Sequence, residues 1–166
     1  MIKTIGKYLL VLFVLIGSFA ADFGSKKWAQ KNLRNAPQVS AVKGFMELGF
    51  AENRGMVFGM LNHSRPTIVQ KVLTVVRAII LVGVLIFIGL NITKPFLFLF
   101  PFVLLVSGAS GNLYDTLFYG YVVDFIHIHL GNILDWPFFF NIADVYVLAG
   151  VVLLLFTGAG FSKKTV

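Results

Sequence analysis

Four apolar runs, roughly 6–24, 67–90, 95–114 and 138–160, divide this chain. Each is close to the about 20 residues a helix needs to cross the hydrocarbon core of a bilayer. A soluble domain of 166 residues has no use for so much apolar material, since 58% of the chain is hydrophobic and only 13% is charged. The expected fold class is therefore membrane all-α: four transmembrane helices in a single integral membrane domain over 1–166, with a small strand-rich extramembrane cap. The cap falls at about 26–66, where "KGFMELGFAENRGMVFGM" shows partial alternation and Pro37 and Pro66 punctuate the chain. A second polar excursion, 116–137, contains "YVVDFIHIH", β-branched and aromatic enough to favour extended backbone.

The first run has a basic start and the small residues Ala20 and Ala21, as a secretory signal peptide does. Its apolar stretch from Tyr8 to Ala21 is at the long end for such a signal, and three further runs keep the chain in the membrane. The net charge of +7 does not indicate nucleic acid, because the basic residues are scattered outside the apolar runs without interleaved stacking aromatics. With no cysteine, thiol catalysis, thiolate metal sites and disulfides are excluded.

Four crossings impose sidedness. The far ends of runs one and three and the near ends of runs two and four open on one face, so Asp22, Glu47, Glu52, Asp115, Asp124, Asp135 and Asp144 all gather there. The opposite face has Lys3, Lys7, Lys94, Lys163 and Lys164 and no acid. Yet the acid-bearing side also carries Lys26, Lys27, Lys31, Arg34, Lys43, Arg54 and Arg65, and charge counting alone would make that side cytoplasmic.

An ionised aspartate at a helix centre costs about 2.5–3.5 kcal/mol, so acids inside or beside spans ask for a functional reason. Asp115 ends the third run beside Asn112, where anchoring a helix end is reason enough. Asp124 follows that run closely, and Asp144 lies about six positions into the fourth, roughly 9 Å down its helix. If these two carboxylates meet at about 4 Å, their repulsion at an effective dielectric of 20 is about 4 kcal/mol, enough to keep one proton on the pair. Such a pair offers one group as general base toward water and the other as an acid, the equipment of an aspartic peptidase. Asn53, Asn112 and Asn141 could supply amide hydrogen bonds.

The motifs "DFGSK" (22–26), "ENRGMVFGM" (52–60), "SGASGNLYD" (107–115), "GYVVDF" (120–125) and "FNIAD" (140–144), in that order, resemble bacterial lipoprotein signal peptidase, signal peptidase II. The resemblance implies an inner-membrane aspartic endopeptidase, without cofactor or metal, that cuts prolipoproteins before a lipid-modified cysteine. It implies Asp124 and Asp144 as the catalytic pair, with Asn53, Gly55, Asn112, Asp115, Asn141, Asp22, Lys26 and Gly108 in supporting or substrate-binding positions. Prolipoprotein and membrane lipid are the partners it implies, for a monomer with cytoplasmic termini and an active site toward the periplasm or cell exterior. The sequence departs from the usual pattern at Thr116, where an arginine is common, at Ser107 for a glycine, and at Met56 and Val57 for small residues. Arg54 is a nearby cation that could stand in for the arginine, and Gly49, Gly55 and Gly59 would give a lid over 38–60 its hinge freedom.

Three other chemistries are open to these residues. "GASG" (108–111) fits the G-x-S-G pattern of rhomboid serine proteases, with Ser110 as nucleophile and His127 or His129 as base. Asp124, His127 and His129 offer three metal donors, but in an extended strand residue 124 faces away from 127 and 129. A small proton-coupled carrier would use membrane carboxylates as a relay, although it would want them near the midplane rather than gathered at one face.

Overall fold

The computed structural model describes residues 2–54, 68–130 and 134–161. The chain forms four helices, α1 (Ile2–Asn32), α2 (Ile68–Leu90), α3 (Phe96–Tyr119) and α4 (Ile142–Phe161), and a four-stranded sheet that packs on α1 and α3. Its strands are β1 (Val39–Val42), β2 (Met46–Asn53), β3 (Val122–Leu130) and β4 (Leu134–Phe140), antiparallel in the order β1-β2-β3-β4.

α3 is the axis of the bundle, packing against α1, α2 and α4. It can do so because one flank is small: an added Cβ at Gly108 would collide with the Ala143 carbonyl and the Val147 side chain of α4, and one at Gly111 with the Asp22 carboxylate of α1. Small residues on a helix flank let helix backbones approach closely in a membrane bundle. Val11 of α1, Ile88 of α2 and Leu99, Val103 and Val106 of α3 form one buried cluster. Outward, the bundle is apolar: Phe13, Ile79, Leu148 and Phe156 are all more than 60% exposed. A helical surface that greasy on its outer side is one made for lipid. Thr4–Asn32 and Phe96–Tyr119 are each long and apolar enough to cross a membrane, and the apolar stretches Thr74–Leu90 and Ile142–Phe156 are shorter.

Three boundaries differ from those the sequence suggests. α1 continues to Asn32, so 26–32 belongs to a helix and the strands of the cap begin at Val39. α3 runs past residue 114 to Tyr119 and stops at Gly120, whose φ of 75° is the left-handed closing conformation that glycine adopts without strain. The fourth run is divided, with 138–140 in β4 and the helix beginning only at Ile142. Local chemistry explains the division: "LDWPFFF" is rich in aromatic strand formers, and Pro137, which has no N–H to give, lies in an edge strand where none is required. Asp144 therefore sits in the first turn of α4, not about 9 Å down the helix.

The cap is also a more joined structure than two separate excursions. β2 pairs with β3, so segments distant in sequence form the centre of one sheet, with Glu47 opposite His127 and Ala51 opposite Asp124. Val123 and Phe125 of β3 pack on Ala29 and Leu33 at the end of α1. Strand alternation then turns Asp124 to the other face. Gly49 is no hinge: it lies inside β2, and a Cβ there would press on the Phe139 ring at 2.9 Å. Gly55, Gly59, Met56 and Val57 lie outside the described residues.

Candidate active site

Five elements converge on one polar cluster at the acid-bearing end of the bundle. α1 supplies Asp22 and Lys26, one turn apart on one face, and both are almost fully buried. Lys26 Nζ lies 2.8 Å from Asp22 Oδ2 and 3.2 Å from Asp115 Oδ2, and it donates to Asn112 Oδ1 at 2.9 Å. One ammonium thus joins two carboxylates and an amide, which is how a buried cation escapes most of its desolvation cost. Asp22 Oδ1 also accepts the Ala143 N–H at 2.9 Å, satisfying an N–H of the first turn of α4, where helix polarity favours negative charge.

Asn141 is the pivot. Its side-chain oxygen accepts the Asp144 N–H at 3.0 Å while its own N–H donates to Asp144 Oδ2 at 3.0 Å, the reciprocal exchange of a capping box. Its Nδ2 donates to Asp124 Oδ1 at 2.6 Å. One fully buried asparagine therefore holds both aspartates. Asn112 Nδ2 donates to the remaining Asp144 oxygen at 2.8 Å. Asn53, diagonal to Asp124 on the same face of the β2–β3 pair, donates to Asp124 Oδ2 at 2.9 Å. Every oxygen of the pair has an amide donor.

Burial drives the Asp124 carboxyl upward, to about 7 from the ordinary 3.8, and the nearby Asp144 charge raises it further, against the amides of Asn53 and Asn141 and the charge of Lys26, which favour ionisation. Only 2% of Asp124 is exposed, whereas Asp144 is half-buried.

Asp115 and Gly108 lie on α3, beside the elements that carry this pair. Asp115 accepts the Val123 N–H at 3.0 Å, pinning β3 to α3 one residue from Asp124, as a structural anchor would. Gly108 is the contact point of α3 with α4, and Gly55 is outside the described residues. Gly111 earns a place that the motif alone did not give it, since only hydrogen fits between α3 and Asp22. Replacing Gly111 by Ala is expected to cost about 1–3 kcal/mol of stability, as overpacking does. A melting temperature unchanged by Gly111→Ala would show that this contact is loose.

The departures are accommodated locally. The Ser107 hydroxyl donates to the Val103 carbonyl at 2.8 Å, and that of Thr116 to the Asn112 carbonyl at 2.8 Å. Arg54 pairs with Glu52 at 2.8 Å, and its guanidinium lies over the Tyr121 ring. The Ser110 hydroxyl donates to the Ser107 carbonyl within its own helix, and His127 stacks on Phe139, so the described contacts do not assemble a serine nucleophile with a histidine base.

The family model for signal peptidase (SPase) II matches residues 14–159. The chain belongs to the signal peptidase II family. A lipoprotein signal peptidase of Clostridium novyi (strain NT) is 38% identical over 145 residues, covering 87% of this chain and 93% of that one. Another, of Francisella tularensis subsp. novicida (strain U112), is 35% identical over 161 residues, 95% and 94% of the two chains. The fold is similar to that of a solved bacterial membrane enzyme, with a TM-score of 0.68 and 24% identity over 97% of this chain and 92% of the other. Membership of the signal peptidase II family makes this chain a membrane-bound aspartic endopeptidase of lipoprotein processing, not a carrier.

Proposed function

We propose that Asp124 and Asp144 form a water-activating pair that hydrolyses the signal-peptide bond of prolipoproteins just before a lipid-modified cysteine. The observation that carries this reading is Asn141, whose side chain donates to Asp124 while its backbone N–H donates to Asp144. Asp124, the more buried acid, keeps the shared proton. Asp144 keeps the charge at a helix N-terminus and takes a proton from water as the oxygen attacks the scissile carbonyl. The proton on Asp124 goes to the carbonyl oxygen and then, through the pair, to the leaving amine, so no acyl-enzyme forms.

All four helices cross the bacterial inner membrane in this proposal, as one monomeric domain with cytoplasmic termini and the sheet on the exterior face. Sidedness is supported at both ends: Lys7 Nζ donates to the Thr93 and Lys94 carbonyls at 2.8 and 2.9 Å, while Asp22, 15 residues along α1 and about 22 Å away at 1.5 Å per residue, joins the acid cluster. The substrate's signal helix enters from lipid, and its acyl chains remain in the bilayer.

Purified chain mixed with a diacylated prolipoprotein is expected to release a product beginning at the modified cysteine, read by mass spectrometry. Cleavage elsewhere, or equal cleavage of the unlipidated precursor, would contradict the proposal. Because the pair works with one proton, kcat/KM is expected to fall as pH rises through about 7, where Asp124 loses it. Folding responds to the same ionisation. The folded chain holds this proton more tightly than the unfolded one, so the contribution of Asp124 to stability declines as pH rises from about 4 to about 7. An activity that stays flat from pH 6 to 9 would exclude Asp124 as the proton carrier.

A further inference from the structure

The face of the cap sheet turned away from Asp124 carries a second cluster of ionisable groups, apart from the aspartate pair. Glu47 of β2 and His127 of β3 face each other across the central strand pair, and His129 follows His127 on the same face, turned away from Asp124. The sequence alone lacks a third ligand here, because Asp124 points to the opposite face. Strand pairing supplies Glu47 in its place.

One ligand atom from each of Glu47, His127 and His129 can be chosen so that all three lie within 4.8 Å of one another. His129 Nε2 is 4.0 Å from Glu47 Oε1, beyond a hydrogen bond, and among the described residues that buried nitrogen has no hydrogen-bond partner. The two imidazoles have centroids 5.7 Å apart, and His127 is stacked on Phe139 at 5.0 Å, which limits its ring rotation. All three residues are half-buried, open enough for an ion to enter.

We infer that Glu47, His127 and His129 form a binding site for a late first-row divalent cation such as Zn²⁺. Two imidazoles and a carboxylate are a donor set that suits tetrahedral zinc, with bonds of about 2.0–2.2 Å and the fourth position left to water. Bonds of that length bring the donor atoms to roughly 3.4 Å apart, so side-chain rotation of about 1 Å closes the site without moving the strands. The ion would clamp β2 to β3, the pair of strands that presents Asn53 to Asp124 on the other face. It takes no part in peptide hydrolysis.

The test is equilibrium dialysis of untagged, chelator-stripped full chain against zinc sulfate, with metal counted by atomic emission. One Zn²⁺ per chain is expected, and Co²⁺ in its place should give the visible absorption of a tetrahedral site. His129→Gln and Glu47→Gln should each weaken binding by more than about a hundredfold, since loss of an outer-shell partner alone costs 10–100-fold. Both variants should retain peptidase activity, which separates loss of the site from loss of the fold. No bound zinc, or zinc bound equally well when all three ligands are replaced, would overturn the inference.

Discussion

Asp124→Asn and Asp144→Asn are each expected to reduce cleavage of a lipidated prolipoprotein by about a thousandfold or more, beyond the middle of the range for losing one acid–base group. In the proposed mechanism one proton moves within the pair, and an amide neither takes a proton from water nor gives one to the carbonyl oxygen. The two variants should differ in stability. At position 124 an asparagine offers one oxygen to the two amide donors of Asn53 and Asn141, leaving one unmatched at about 1–3 kcal/mol. At position 144 the backbone exchange with Asn141 persists through the Asp144 N–H, while the donors to both carboxylate oxygens meet a single acceptor. Substrate binding should survive in both, so turnover near the unsubstituted rate in either variant would remove the proposed mechanism.

Lys26→Met is expected to be the most damaging change outside the pair. Lys26 is 2% exposed and is the cation between Asp22 and Asp115, so its loss leaves two carboxylates together in a dry site. Breaking a buried ion cluster in this way costs about 3–5 kcal/mol. For a chain of this size that lowers the melting temperature by about 10 °C. The triple change Lys26→Met, Asp22→Asn, Asp115→Asn should recover part of the loss, because it removes the stranded charges along with the cation. A single-variant loss below about 1 kcal/mol would mean that the cluster is solvated and does not hold α1, α3 and β3 together.

Much of this was readable along the chain. Apolar runs and the one-sided placement of the acids follow from local composition, and the order of the motifs carried the family. The aspartates were recognisable because carboxylates beside lipid are rare. Hydropathy places Asp144 too deep because it does not distinguish an aromatic edge strand from the start of a helix, and "PFFFN" satisfies both until Asn141 caps the helix with its reciprocal bonds. Gly49 looked like a hinge for a similar reason: a glycine in a strand pattern does not reveal the Phe139 ring pressed against it.

From the residues in order came the membrane class and the family, both carried by single positions or short windows. Folding in three dimensions alone set the partners: Asp22 on the Ala143 N–H from 121 positions away, Lys26 against Asn112 and Asp115 of α3, and Glu47 beside two histidines. Those contacts depend on the register of β2 on β3 and on how closely α3 lets its neighbours approach. Both are settled by packing between distant segments, which leaves no periodic trace in either segment taken separately.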